Sequence, residues 1–201
     1  MSDKVPAEFL GKARLFRAGL HTATAPVGSQ MKAVSKYSFD LYRRRNAGPR
    51  PEHLIAIERQ WRSICSAGCV QLSIHRDARS MLIRDTRVVT TVSSSSEWDG
   101  ASEKSICLIE SSLELTKRHA ETTAATLAAV SLHALGRWYQ RARTTDDTSL
   151  MLDLASVVAA APGLAATHSD VEVGSQNGGC WRGIMLKTLD GKPVVNVRTF
   201  V

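Results

Sequence analysis

Two apolar runs flanking Asp190-Gly191 constrain this chain more than any other stretch. Asp-Gly closes two-residue type I′ hairpins, because both central positions need positive φ and these residues tolerate it. Cys180–Leu189 and Val194–Val201 are then paired strands, and the short turn sets their register. Leu186 faces Val195, Ile184 faces Val197 and Arg182 faces Thr199. On the other face Trp181 meets Phe200, Gly183 meets Arg198 and Met185 meets Asn196. The first face is apolar except at its far end, so it belongs against helices. Arg182 and Thr199 then share one edge of the core, and Arg198 and Asn196 project from the opposite face. Val171–Val173 reads as a short strand before the hairpin and Gln176–Gly179 as a Gly-rich turn.

Upstream, Glu52–Ser66 spaces Leu54, Ile55, Ile57, Trp61 and Ile64 as one helical face, with Pro51 at its start and Gly68 past its end. Cys69–His75 alternates as a half-buried strand. Met81–Ile83 and Val88–Val92 read as further strands, with turns at Asp77–Ala78 and Asp85–Thr86. Ser93–Ser102 is a polar loop, and Ser105–Ile109 fits a strand or a helix start equally. Leu113–Val130, rich in Ala and Thr, is helical by pattern. Ser149–Ala161 is an apolar helix closed by Pro162-Gly163, with Asp153 on its solvent side. The fold class expected is α+β: helices packed on a small antiparallel sheet, ending in a β-hairpin. Pro49 and Pro51 mark a boundary between residues 1–50, an N-terminal arm or subdomain, and a globular domain over 51–201.

The net charge of +7 and the pI near 9.5 favour polyanionic partners, nucleic acid first. The charge is uneven. In Lys12–Arg50 the only acid is Asp40. Lys36–Arg45 mixes Tyr37, Phe39 and Tyr42 with Arg43, Arg44 and Arg45, the combination that single-stranded RNA uses for stacking and phosphate pairing. RNA is favoured over DNA on this basis. The plainer alternative is a solvated charge run beside core aromatics.

Cys65, Cys69, Cys107 and Cys180 show neither CxxC nor zinc-finger spacing, so no metal site is expected and the thiols read as reduced and buried in a cytoplasmic protein. No apolar run is long enough to span a bilayer and Met1–Gly28 lacks a signal-peptide core, so no membrane partner is expected. No P-loop, GxGxxG, GxSxG or HExxH pattern occurs, and no cofactor is expected.

The stretch with most chemistry is Ser131–Arg143, SLHALGRWYQRAR. His133, Arg137 and Arg141 recur every four residues and fall within roughly 80° of one another on a helix. Leu132, Leu135, Tyr139 and Ala142 form the packing side, and Ser131 is placed to cap the helix. An imidazole moves protons near pH 7 and guanidiniums bind phosphate oxygens. The plain alternative is the wet face of an amphipathic helix.

With SLHALGR continuing to YQR, then DLASVVAAA, GGCWRGIML, a tight turn and a terminal VNVRTFV, Ser131–Val201 resembles a ribonuclease module of the barnase–EndoU–RelE-like superfamily, of the phage and toxin type. The resemblance implies metal-independent RNA cleavage, in which the 2′-hydroxyl attacks the adjacent phosphorus. His133 would be the acid or base, and Arg137 and Arg141 would hold the phosphate. Thr199 or Arg198 would add a contact from the terminal strand, with Arg182 beside them on the nucleic acid. Two other readings compete: a non-catalytic nucleic-acid-binding protein, and a protein–protein inhibitor or accessory factor encoded by a mobile element, with its basic face on an acidic protein partner.

Overall fold

The computed structural model describes residues 4–25, 27–44, 49–65, 68–90, 105–164, 170–187 and 191–201. These residues form α1 (Ala7–Thr24), α2 (Val27–Arg44), α3 (Pro51–Ile64), β1 (Cys69–Arg76), β2 (Met81–Thr90), β3 (Ile106–Leu115), β4 (Ala120–Val130), α4 (Leu132–Arg141), α5 (Asp147–Leu164), β5 (Asp170–Gly174), β6 (Cys180–Lys187) and β7 (Pro193–Phe200). The strands make one sheet in the order β1-β2-β3-β4-β7-β6-β5. The α+β class and the C-terminal hairpin are as expected. The sheet is larger than expected and includes a parallel pair, β4 with β7. The polar loop Ser93–Ser102 lies outside the described residues.

By its internal contacts the chain divides into two compact units, each discontinuous in sequence. One comprises Met1–His21, Val88–Ile109 and Thr126–Val201; the other comprises Thr22–Arg87 and Glu110–Ala125. Residues 1–50 thus contribute a helix to each unit.

In the second unit, α3 starts where Pro51 presets φ and Arg50 holds an extended cap conformation (φ −87°, ψ 159°). Leu54, Ile57, Trp61 and Ile64 are buried at helical spacing. They share a core with Val27 and Val34 of α2 and with Met81, Ile83, Leu113 and Leu115 of the sheet. Asp77 and Ser80 close the β1–β2 turn, with the Asp77 N–H donating to the Ser80 carbonyl at 2.9 Å. Asp85–Thr86 is not a turn, and β2 runs straight through it. Asp85 is 1% exposed because it is a partner for two donors: Trp61 Nε1 at 2.7 Å and Arg87 Nε at 2.5 Å. A carboxylate so satisfied belongs inside the fold rather than in a turn.

The expected helix over 113–130 is instead the end of β3, a turn and β4. The Thr116 N–H donates to the His119 carbonyl at 2.8 Å to close that turn. Strand pairing overrides the helical propensity of the alanines. Ala128, Ala129 and Val130 lie opposite Val195, Asn196 and Val197 and are buried.

In the first unit, Ser131 caps α4 as expected. Its Oγ accepts from the Ala134 N–H at 3.1 Å and donates to the Arg198 carbonyl at 3.2 Å, while its own N–H donates to the Val197 carbonyl at 3.1 Å. The helix is therefore fixed to β7 at its first turn. α5 runs to Leu164, past the expected stop at Pro162. Asp153 on α5 is 0% exposed rather than solvent-facing. Its carboxyl accepts from Trp138 Nε1 at 2.6 Å, Ser175 Oγ at 2.5 Å and the Gln176 N–H at 3.0 Å. One side chain thus ties α4, α5 and the Gly-rich turn together.

The hairpin register departs from the expected one. Trp181 opposes Phe200 and Arg182 opposes Thr199, as a two-residue turn requires. From Gly183 onward the register slips by one, so Leu186 faces Val194 rather than Val195, and Gly183 faces Val197. Arg198 is the extra residue of a β-bulge. The backbones approach closely at the bulge, where a Cβ on Gly183 would lie 2.1 Å from the Asn196 carbonyl oxygen, so only glycine fits there. The last described pair towards the turn is Lys187 with Pro193, in the slipped register rather than that of a two-residue turn at 190–191. Gly191 has φ 80°, the left-handed conformation expected of it, while Asp190 lies outside the described residues.

Candidate functional site

α4 forms where its sequence places it, but His133, Arg137 and Arg141 do not make a common wet face. His133 is exposed. Arg137 is 4% exposed and donates Nη1 to Oε1 of Gln140 at 3.0 Å. Arg141 is exposed and donates Nη1 to the Phe200 carbonyl at 3.0 Å. The burial of Arg137 follows from what surrounds the helix. Of the expected packing side, Leu135 and Tyr139 are buried while Leu132 and Ala142 are half-buried, and Ala134, Gly136 and Trp138 are buried besides. A Cβ on Gly136 would stand 2.9 Å from Cγ1 of Val5, so the segment leading into α1 packs on the α4 backbone. Tyr139 Oη donates to Asp147 at 2.8 Å, and its pKa is driven well above the ordinary phenol range by burial and by Asp147.

At the other end of the hairpin, Arg182 donates Nε and Nη2 to Oε1 of Glu172 at 2.9 and 2.7 Å. Cys180 Sγ reaches the same oxygen at 3.0 Å. These hydrogen bonds, Cys180 first and then Arg182, hold Glu172 below the ordinary carboxylate range. Thr199 is half-buried opposite Arg182, and Arg198 is exposed at the bulge. The structure therefore gathers Arg182, Thr199 and Arg141 around the end of β7. His133 stands two turns, about 12 Å along the helix, from Arg141.

The second unit holds a cavity of about 640 Å³ to which no sequence motif points. One wall is the face of α2 carrying Met31, Lys32, Lys36 and Phe39; opposite it are Ser112 of β3 and Thr123 of β4. Ser112 Oγ and Thr123 Oγ1 are hydrogen-bonded at 2.8 Å. Lys32 and Lys36 are exposed one turn apart, and Phe39 is half-buried one turn further along. Trp61, 1% exposed, also borders the cavity. Asp40 lines it too, which leaves two cations against one anion. The arrangement offers an aromatic edge, a hydroxyl floor and a cationic rim.

Arg43 and Arg44 occupy the last turn of α2, but their side chains lie outside the described residues, as does the whole of Arg45. The cavity was legible in principle. Val27, Met31, Val34 and Leu41 recur at helical spacing and pack on one core. The Thr, Pro and Gly residues of HTATAPVGSQ masked the helix start, because Gly28 and Ser29 lie in its first turn.

Among the described residues no group of three or more His, Cys, Asp or Glu side chains is placed to hold a metal ion. Among them, too, no helix is long and apolar enough to cross a membrane. Comparisons of the chain with protein-family models, with curated proteins and with solved structures find no match.

Proposed function

We propose that this protein binds single-stranded nucleic acid, RNA in the first place, and does so without cleaving it. The observation that carries the reading is the α2 cavity, where Lys32 and Lys36 rim a space bordered by Phe39 and by the Ser112–Thr123 hydroxyl pair. An aromatic ring stacks on any base, and a lysine pair one helical turn apart tracks successive phosphates. The net charge of +7 draws the polyanion in. Binding without cleavage is favoured because Arg137, which cleavage would need on the scissile phosphate, is buried and donates to Gln140.

The test is fluorescence anisotropy of a labelled oligouridine, titrated with the protein at several salt concentrations in EDTA. Lys32→Ala/Lys36→Ala should weaken binding. It should also flatten the slope of log K against log salt by about 1.4, since each single-strand phosphate contact contributes about 0.7. Phe39→Ala should cost about 1–3 kcal/mol, the range for one stacked base. Affinity and slope unchanged in both variants would overturn the assignment. Shortened RNA in EDTA that disappears with His133→Ala would restore the cleavage reading in its place.

A further inference from the structure

Cys65 follows the last residue of α3 and Cys69 opens β1, directly after Gly68 at φ 66°. None of the four cysteines is in a disulfide. The Cys65 and Cys69 thiols are neighbours, and each shifts the other's titration. Cys65 is buried at the end of α3 and receives Nη2 of Arg87 on its sulfur at 3.3 Å. Cys69 is half-buried and directs its Sγ to the Gln71 carbonyl at 3.2 Å on the open side. Arg87 is itself 3% exposed, fixed by Asp85, and its Nη1 has no hydrogen-bond partner. A buried guanidinium with a spare donor at the Cys65 sulfur favours the negative charge that sulfur takes on in a resolving step.

We propose that Cys65 and Cys69 form a dithiol site that a hydroperoxide converts reversibly to an intramolecular disulfide, with Cys69 attacking and Cys65 resolving. The order of attack follows from the setting. Cys69 is half-buried and within reach of a peroxide, whereas Cys65 is buried, and the neighbouring Cys65 also lowers the Cys69 thiol below its ordinary range. The Cys69 thiolate attacks one peroxide oxygen and the O–O bond breaks. The departing oxygen takes a proton and leaves as water or an alcohol, and Cys69 becomes a sulfenic acid. The Cys65 sulfur then attacks the Cys69 sulfur, and the S–O bond breaks. Hydroxide leaves with the Cys65 thiol proton as water, and the S–S bond forms. The two sulfurs together lose two electrons and the peroxide gains them; a thiol reductant reverses the change.

Cys180 is the control within the chain. Burial and the Glu172 carboxylate push its thiol up rather than down. The full-length reduced protein is treated with hydrogen peroxide, quenched by alkylation and followed by intact and peptide mass spectrometry. The expected product has lost two hydrogen masses and carries a Cys65–Cys69 crosslink, formed about tenfold faster than any oxidation of Cys180, since the thiolate is the reacting form. In Cys65→Ser a dimedone adduct should accumulate on Cys69, and in Cys69→Ser neither crosslink nor adduct should form at Cys65 at that rate. Both variants keep a small polar side chain, and their folding is checked by circular dichroism. The proposal fails if Cys69 stays alkylatable after peroxide, if Cys180 oxidises as fast, or if Cys65 reacts unaided in Cys69→Ser.

Discussion

Asp153→Ala removes the acceptor on which three parts of one unit converge. Trp138 is 0% exposed, so its Nε1, now 2.6 Å from Asp153, has no water to turn to. A buried donor left unsatisfied costs about 1–3 kcal/mol. Ser175 Oγ and the Gln176 N–H are only part-buried and regain water in part. They add roughly 0.5–1.5 kcal/mol each. Removing a buried carboxyl also relieves its own desolvation, which subtracts from the sum. The expected loss is about 3 kcal/mol, a large fraction of the 5–15 kcal/mol typical of a folded domain. Urea unfolding followed by tryptophan fluorescence reads this as a lower midpoint at unchanged slope. Trp138→Phe removes the same indole donor, so the double variant should lose at least about 1 kcal/mol less than the two single losses added together. A loss below about 1 kcal/mol for Asp153→Ala, or strict additivity with Trp138→Phe, would refute the reasoning.

Three further outcomes are expected. Gly183→Ala puts a methyl 2.1 Å from the Asn196 carbonyl oxygen and should destabilise by about 3 kcal/mol. Gly174→Ala, which meets nothing within 4 Å, should stay within about 0.5 kcal/mol, and equal melts for the two would refute the close approach at Gly183. Arg137→Ala should lower the denaturation midpoint, by roughly 1–3 kcal/mol, while leaving oligouridine affinity unchanged, because the guanidinium serves the fold rather than a phosphate. Asp146 caps α5, accepting from the Ser149 Oγ at 2.7 Å and the Ser149 N–H at 2.9 Å, and these bonds depress its pKa below the ordinary 3.8. Its stabilisation is therefore complete above that value and lost as pH falls through the lower folded value. The melting gap between wild type and Asp146→Ala should narrow below pH 3.8, and a gap that widens there would reverse the sign.

What the residues disclosed, and what they withheld, follows from the range of the forces involved. Local signals were readable: Pro51 before α3, Ser131 before α4 and the Gly-rich turn at 176–179 all depend on neighbours within a few positions. The elements that were misread depend on distant partners. Asp85 looks like a turn residue until Trp61 and Arg87 are beside it, and Asp153 looks solvent-facing until Trp138 and Ser175 reach it. Ala120–Val130 has helical composition and becomes a strand because β7 lies along it. The same limit applies to the candidate site. Helical spacing gives the angle between His133, Arg137 and Arg141 but not which sectors of the helix are covered. With Val5 over Gly136 and α5 reaching Trp138 and Tyr139, the covered sector widens until it takes in Arg137. An amphipathic pattern marks a wet face only when one side of a helix is packed. Here the packing comes from elements more than a hundred positions away on one side and about fifteen on the other, so periodicity within α4 alone carries no record of it.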